Sequence, residues 1–171
     1  MKGFKFAGIS AGIKKNKVKD LGLIYAEKPA SAAALFTQNQ VVAAPVILGR
    51  KTMEKGMLQA ILVNSGNANC FTGAQGIAHA EKCVKLVAKA LKIDPKHVLV
   101  SSTGVIGAPL PMDKIEAKIP EAVKSLDDCT IVDFAGAILT TDTCTKMVSR
   151  KADINTSGDE KSFTIMGVAK G

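Results

Sequence analysis

Residues 58–100, LQAILVNSGNANCFTGAQGIAHAEKCVKLVAKALKIDPKHVLV, decide the fold class. Leu58 to Val63 reads as a buried strand that runs straight into Asn64-Ser65-Gly66-Asn67-Ala68-Asn69, a turn by composition. From about Ala74 to Leu91, apolar Ile77, Ala80, Val84, Val87, Ala88 and Leu91 recur at helical spacing while Lys82, Lys85, Lys89 and Lys92 face elsewhere. That pattern predicts an amphipathic helix, which Asp94-Pro95 ends. His97 to Val100 then reads as a short strand leading into Ser101-Ser102-Thr103-Gly104.

Outward from this unit the alternation continues. Toward the N-terminus, Phe4 to Ile13, Leu21 to Ala26 and Ser31 to Thr37 read as strands, and a helix opens at Pro45 and ends before Gly56. Toward the C-terminus a helix begins near Met112 and carries Ile115, Ile119, Val123 and Leu126, with Pro120 at a break or restart. Asp133 to Leu139 reads as a short helix ending at Thr140-Thr141-Asp142-Thr143. Lys146 to Arg150 and Ser162 to Ala169 read as strands joined by the polar hairpin Asn155-Thr156-Ser157-Gly158-Asp159. Strands alternating with helices predict a layered α/β architecture, with residues 1–171 as a single domain. The chain stops inside the apolar, strand-like run Phe163 to Gly171, which reads as the edge of an incomplete unit.

Composition narrows the function classes. At 171 residues, 47% hydrophobic and 22% charged, the chain can bury a sizeable core and is not disordered by composition. No apolar run reaches membrane-spanning length, and the opening MKGFKFAGIS lacks the apolar stretch of a signal peptide. A cytoplasmic protein is expected, or one of an organellar matrix if the source is eukaryotic. Cys70, Cys83, Cys129 and Cys144 show no C-x-x-C spacing and stand beside only two histidines, so neither a disulfide framework nor a structural zinc site is expected. The net charge of +8 raises nucleic acid as a partner, but of the 23 basic residues only Arg50 and Arg150 are arginines. Aromatics are 4% with no Trp, too few for a base-stacking platform. Scattered lysines fit a solvated face, or attraction to anionic metabolites or an acidic partner chain.

Little in the chain is a complete catalytic motif. His79 and His97 read as surface or capping histidines. Phosphate-binding loops and the G-x-S-x-G nucleophile elbow are absent from the sequence. Two hydroxyl-rich turns remain, at Ser101-Ser102-Thr103-Gly104 and Thr140-Thr141-Asp142-Thr143. A Thr-Gly pair after a strand can aim one hydroxyl and one backbone N–H at a developing oxyanion, whereas an ordinary turn with capping hydroxyls has the same composition. Lys170 could pair with a carboxylate or be a solvated lysine. From the residues alone, both alternatives stay open at each place.

Read together, three segments resemble a known family. They are Val63-Asn64-Ser65-Gly66-Asn67-Ala68-Asn69-Cys70-Phe71-Thr72-Gly73; Ser101-Ser102-Thr103-Gly104-Val105-Ile106-Gly107 with Leu110-Pro111-Met112; and Ala137-Ile138-Leu139-Thr140-Thr141-Asp142-Thr143 with the closing Gly167-Val168-Ala169-Lys170-Gly171. In this order they resemble the α chain of the ornithine acetyltransferase family, the glutamate N-acetyltransferases of arginine biosynthesis often called ArgJ. The resemblance implies a layered α/β sandwich completed by a β chain cut from the same precursor, whose N-terminal Thr is the nucleophile. It implies transfer of an acetyl group from N-acetylornithine to that Thr and then to glutamate, within an (αβ)2 or larger assembly. It implies no permanently bound cofactor, with acetyl-CoA as an additional acetyl donor in some members. Thr103 and Gly104 match the family's oxyanion-hole pair, and Thr140 and Lys170 match substrate-binding positions. Asn64, Asn67 and Asn69 are expected to shape the turn beside the site.

Two other readings stand beside this one. A self-processing aminopeptidase of related fold would hydrolyse peptides without transferring acetyl groups. A non-enzymatic basic module would bind nucleic acid with steep salt dependence.

Overall fold

The structure is a computed structural model that describes residues 3–156 and 159–170. Its main sheet has four strands in chain order: β1 (Phe4–Ile9), β2 (Leu21–Ser31), β3 (Met57–Asn67) and β4 (Val98–Val105). The first two pairings are antiparallel, whereas β3 and β4 run parallel. A parallel pair needs a crossover, and α2 (Gly73–Leu91) supplies it. Helix α1 (Ala44–Met53), with Pro45 in its first turn, packs against α2 and β4. Helix α2 ends where Lys92 turns left-handed (φ 57°) and Ile93 N–H donates back to Ala88 O at 3.0 Å.

Strand residues alternate between two faces, and each face meets a different partner. On the first, Ala7, Leu23, Leu62 and Val98 are buried against Val87 of α2 and against Ile115 and Ile119 of α3 (Met112–Lys124). This is the main core. On the second face, Phe6, Ile24 and Val63 meet Phe134 and Ile138, from and just beyond the short helix α4 (Ile131–Ala137).

A pair of glycines seats α4. Gly8 and Gly22 lie opposite each other in the β1–β2 register. A β-carbon on Gly8 would fall 2.0 Å from Asp133 O, and one on Gly22 would fall 2.8 Å from Phe134 Cδ2. Bare backbone therefore lets the helix rest directly on the sheet. Thr130 and Asp133 close a capping box at its start, each side chain satisfying a backbone N–H of the other. Lys19 pairs with Asp133 from the neighbouring loop. Strands β5 (Lys146–Thr156) and β6 (Asp159–Ala169) form a separate antiparallel hairpin, and Val168 packs onto the second-face cluster.

The α/β layering is as expected from the sequence, and several boundaries are not. Strand β1 stops at Ile9, because residues 10–19 form a loop gathered around Asp20. Residues 32–37 are not a strand; β2 instead runs on to Ser31 through a register shift between Tyr25 and Ala30. Both segments read as turns, Asn64–Asn67 and Ser101–Gly104, continue their strands, since pairing with each other satisfies backbones that composition assigned to loops. Pro120 lies inside α3 and breaks nothing: it is exposed, and the buried Ile115, Ile119 and Ala122 hold the helix together on its inner side. Helix α4 starts two residues earlier than expected, at its capping box. The final hairpin is longer than expected, taking Asn155, Thr156 and Asp159 into its strands, and Ser157 and Gly158 lie outside the described residues. No helix among the described residues is long and apolar enough to cross a membrane.

Candidate active site

Helix α4 covers only part of the second sheet face. The rest, roofed on one side by β6, is an open cavity of about 590 Å³. Its walls are apolar, with Phe4, Ile24, Ile61 and Met166 among them. Ser101 and Thr103 bring hydroxyls from β4, and Lys170, just past the end of β6, is the one charged lining residue among the described residues. An apolar pocket with a few convergent polar groups and one cation suits a small carboxylate-bearing ligand.

Thr103 reaches this cavity from the same face of β4 as Ser101; Ser102 turns the other way and donates from Oγ to Asn64 Oδ1 at 2.6 Å. The parallel register sets Asn64 beside Ser102, Ser65 beside Thr103 and Gly66 beside Gly104, so the C-terminal ends of both strands finish together. The register then slips, with Asn67 matched to both Thr103 and Val105. Such an irregularity takes backbone groups out of the ladder and re-aims them. Gly104 sits in it with φ of 138°, where L side chains are strained, and a β-carbon there would fall 2.3 Å from Gly66 C and 2.5 Å from Asn67 N. Only glycine fits.

The asparagines brace these strand ends from within. Asn64 Nδ2 donates to Asn67 O at 2.8 Å, and Asn67 Nδ2 to Pro109 O at 3.0 Å. Asn69, fully buried and left-handed (φ 46°), donates to Gly76 O in the first turn of α2. Three buried amides thus tie the end of β3 to itself, to the loop after β4 and to the first turn of α2.

Thr140 follows α4 in a half-buried turn and does not line the cavity, although Ile138, two residues before it, does. The structure therefore brings Thr103 and Lys170 to one cavity, with Gly104 next to Thr103 in the chain but outside the lining, and leaves Thr140 outside it as well. Sequence reading placed Ser101 in a hydroxyl-rich turn but gave it no role, although it lines the cavity, and it missed the buried Asp20, whose main chain and carboxylate tie a loop to the strand ends. Asp20 is a lone acid after a lysine-rich stretch, and no local pattern distinguishes it from a surface residue. His79 is less exposed than its place on a polar helix face implied: Nδ1 is buried without a hydrogen-bond partner. All four cysteines are free thiols. Burial pushes the Cys83 thiol up to about 12, so it does not supply a thiolate near neutral pH. Among the described residues, no group of three His, Cys, Asp or Glu side chains converges as a metal site would require.

A model of the ArgJ family matches residues 5–171. The chain belongs to the ArgJ family. Among curated ArgJ proteins it is similar to the arginine biosynthesis bifunctional protein ArgJ of Syntrophotalea carbinolica, 48% identical over 169 residues that cover 99% of this chain and 42% of that protein. The namesake from Caldanaerobacter subterraneus subsp. tengcongensis is 49% identical over 170 residues, covering 99% and 41%. This chain thus spans about two fifths of the length of these ArgJ relatives. Among solved ArgJ structures, the Bacillus halodurans protein superposes with a TM-score of 0.87 at 41% identity, covering 99% of this chain and 87% of that one. Ornithine acetyltransferase from Mycobacterium tuberculosis, complexed with ornithine, gives 0.87 at 38% identity, covering 99% and 89%.

Proposed function

We propose that this chain is the α subunit of an acetyltransferase that moves an acetyl group from N-acetylornithine to glutamate in arginine biosynthesis. The observation that supports the reading is the meeting of Thr103 and Lys170 at one cavity, with Gly104 directly after Thr103, in a chain of the ArgJ family. The nucleophile is the N-terminal Thr of a β chain cut from the same precursor, which is an obligate partner in an (αβ)2 or larger assembly. Its hydroxyl attacks the acetyl carbonyl while its own terminal amine accepts the proton. The tetrahedral oxyanion receives hydrogen bonds from the Thr103 hydroxyl and the Gly104 N–H. Collapse breaks the amide bond, ornithine leaves with a proton, and the acetyl group stays as an ester on Thr. The glutamate amine attacks that ester through a second oxyanion at the same donors, giving N-acetylglutamate and the free hydroxyl.

Lys170 binds the α-carboxylate that N-acetylornithine and glutamate share, and Thr140 contacts the substrate from the turn after α4. The net charge of +8 draws such anions in. No cofactor is held permanently. The curated relatives are named bifunctional, and acetyl-CoA is the second acetyl donor that name leads us to test. The cytoplasm is the proposed location.

Denaturing intact-mass analysis of the full-length protein, with N-terminal sequencing of any companion chain, is the first test. A second chain beginning with Thr, and ornithine release that requires N-acetylornithine, are expected. A single uncleaved chain, or peptide hydrolysis without acetyl transfer, would overturn the reading; the latter outcome would favour an aminopeptidase.

A further inference from the structure

We propose that Lys14 is a positioning residue for this acyl-transfer site, joining the oxyanion end of β4 to the turn that carries Thr140. The proposal rests on the functional reading above. Lys14 lies in the loop of residues 10–19, outside every segment singled out in the sequence, and two parts of its side chain serve two parts of the site.

The aliphatic stem lies over Gly66. A β-carbon on Gly66 would fall 2.8 Å from Lys14 Cγ, and Gly66 in turn lies flat against Gly104. Lysine stem, Gly66 backbone and Gly104 backbone are therefore stacked in contact, so the stem backs the strand end that presents the proposed oxyanion donor. The ammonium continues past the strand and donates to Leu139 O at 3.0 Å, one residue before Thr140. That carbonyl lies two residues past the end of α4, in the stretch that leads into Thr140.

Asp20 fixes the loop from which Lys14 reaches. Its side chain is fully buried, and it accepts Ala11 N–H at 2.6 Å and Lys14 N–H at 2.8 Å on separate oxygens. Its main-chain carbonyl accepts Ser65 N–H at 2.9 Å. Ser65, level with Thr103 in the register, donates from Oγ to Ala137 O at 2.6 Å. Two links thus run from Asp20, one from its carboxylate through Lys14 and one from its main-chain carbonyl through Ser65, and only the Lys14 link touches both the Gly66–Gly104 stack and the residue before Thr140.

Three variants of the full-length protein separate these functions. Lys14→Met keeps the stem and removes the donor. It is expected to raise KM for N-acetylornithine and for glutamate about tenfold, with kcat within about twofold of wild type, since misplacement of a binding group weakens substrate alignment. Lys14→Ala removes the stem as well, and a further fall in kcat of about tenfold is expected. Lys14→Arg restores a charged donor and is expected to bring KM back to within about twofold of wild type. Lys14→Gln, a neutral donor, should lie between and serves the same test if Lys14→Met does not fold.

A lysine that only caps α4 would lower the melting temperature and the active fraction while leaving KM unchanged in every variant. That result, or a wild-type KM in both Lys14→Met and Lys14→Gln, overturns the proposal and leaves the functional reading standing. Absence of acetyl transfer in the wild type overturns both.

Discussion

A β-carbon on Gly104 would lie 2.3 Å from the carbonyl carbon of Gly66, so glycine is required there by steric fit before any chemistry is considered. Thr103, next to it, is under no such constraint: it faces an open cavity, and its hydroxyl is free to be tested as a chemical group. Thr103→Ala is expected to lower kcat about 100-fold with KM nearly unchanged, because the oxyanion exists only along the reaction path. Thr103→Ser keeps the hydroxyl and should stay within several-fold of wild type. Steady-state kinetics on the pair, with melting temperatures as a folding control, distinguish a lost donor from a disturbed strand. Equal losses in the two variants would remove Thr103 from the oxyanion hole. The Thr-Gly pair could be picked out as a candidate in the sequence because its two residues are adjacent in the chain. Lys14, Asp20 and Ser65 were not, because each acts on residues far away in sequence. Lys14 reaches Leu139 across most of the chain, and no periodicity records that distance.

Helix α4 shows how an element depends on backbone it never bonds to. Gly8→Ala would thrust a methyl group into the Asp133 carbonyl, and a backbone atom cannot swing aside as a side chain does. Destabilisation of about 1–3 kcal/mol, or more, is expected in urea denaturation. Gly22→Ala meets the Phe134 ring, which can tilt, and should cost less. The capping box has a pH signature. Hydrogen bonds from Lys19 and from Thr130 hold the Asp133 carboxyl down at about 2. A depressed carboxylate contributes stability above its unfolded pKa and loses it as pH falls through the folded one. The contribution is therefore complete above about pH 4 and fades toward about pH 2. Solvent reaches this ion pair, so the amount is below about 1 kcal/mol. The melting-temperature gap between wild type and Asp133→Asn should narrow over that window; a gap constant with pH would show that the ionised carboxylate contributes nothing.

The longest periodic helix, α2, stood out in the sequence because its apolar and lysine faces alternate cleanly over many turns. The ends of β3 and β4 were hidden because asparagine, serine and glycine read as turn formers. Here buried asparagine amides supply internal partners for the carbonyls around the strand ends, so polar composition coexists with a ladder.

At the scale of the molecule, the sheet has one face sealed by α2 and α3 and one half open. Which half stays open was not legible, since it depends on where the glycine pair lets α4 settle. The surface charge was legible, and it carries a prediction. A chain with a net charge of +8 but only Arg50 and Arg150 as arginines has charge without forked phosphate contacts. Binding to duplex or single-stranded DNA is expected to be weak, with a salt slope near zero, measured by titration across a range of ionic strength. A steep negative slope would bring back the nucleic-acid module and count against a metabolite enzyme.

The parallel pairing of β3 with β4 also governs the order in which this molecule can be made. Antiparallel β1, β2 and β3 can form while β4 is still unpaired. Gly66 meets Gly104 only after the whole of α2 has been laid across the sheet. Closing a loop of roughly 40 residues carries an entropic cost of about 3 kcal/mol before any contact repays it, and such non-local pairings form slowly. The stack at the strand ends is thus a product of late assembly: during folding, a sheet and a helix come first, and the close approach of Gly66 and Gly104 appears only when the crossover is complete.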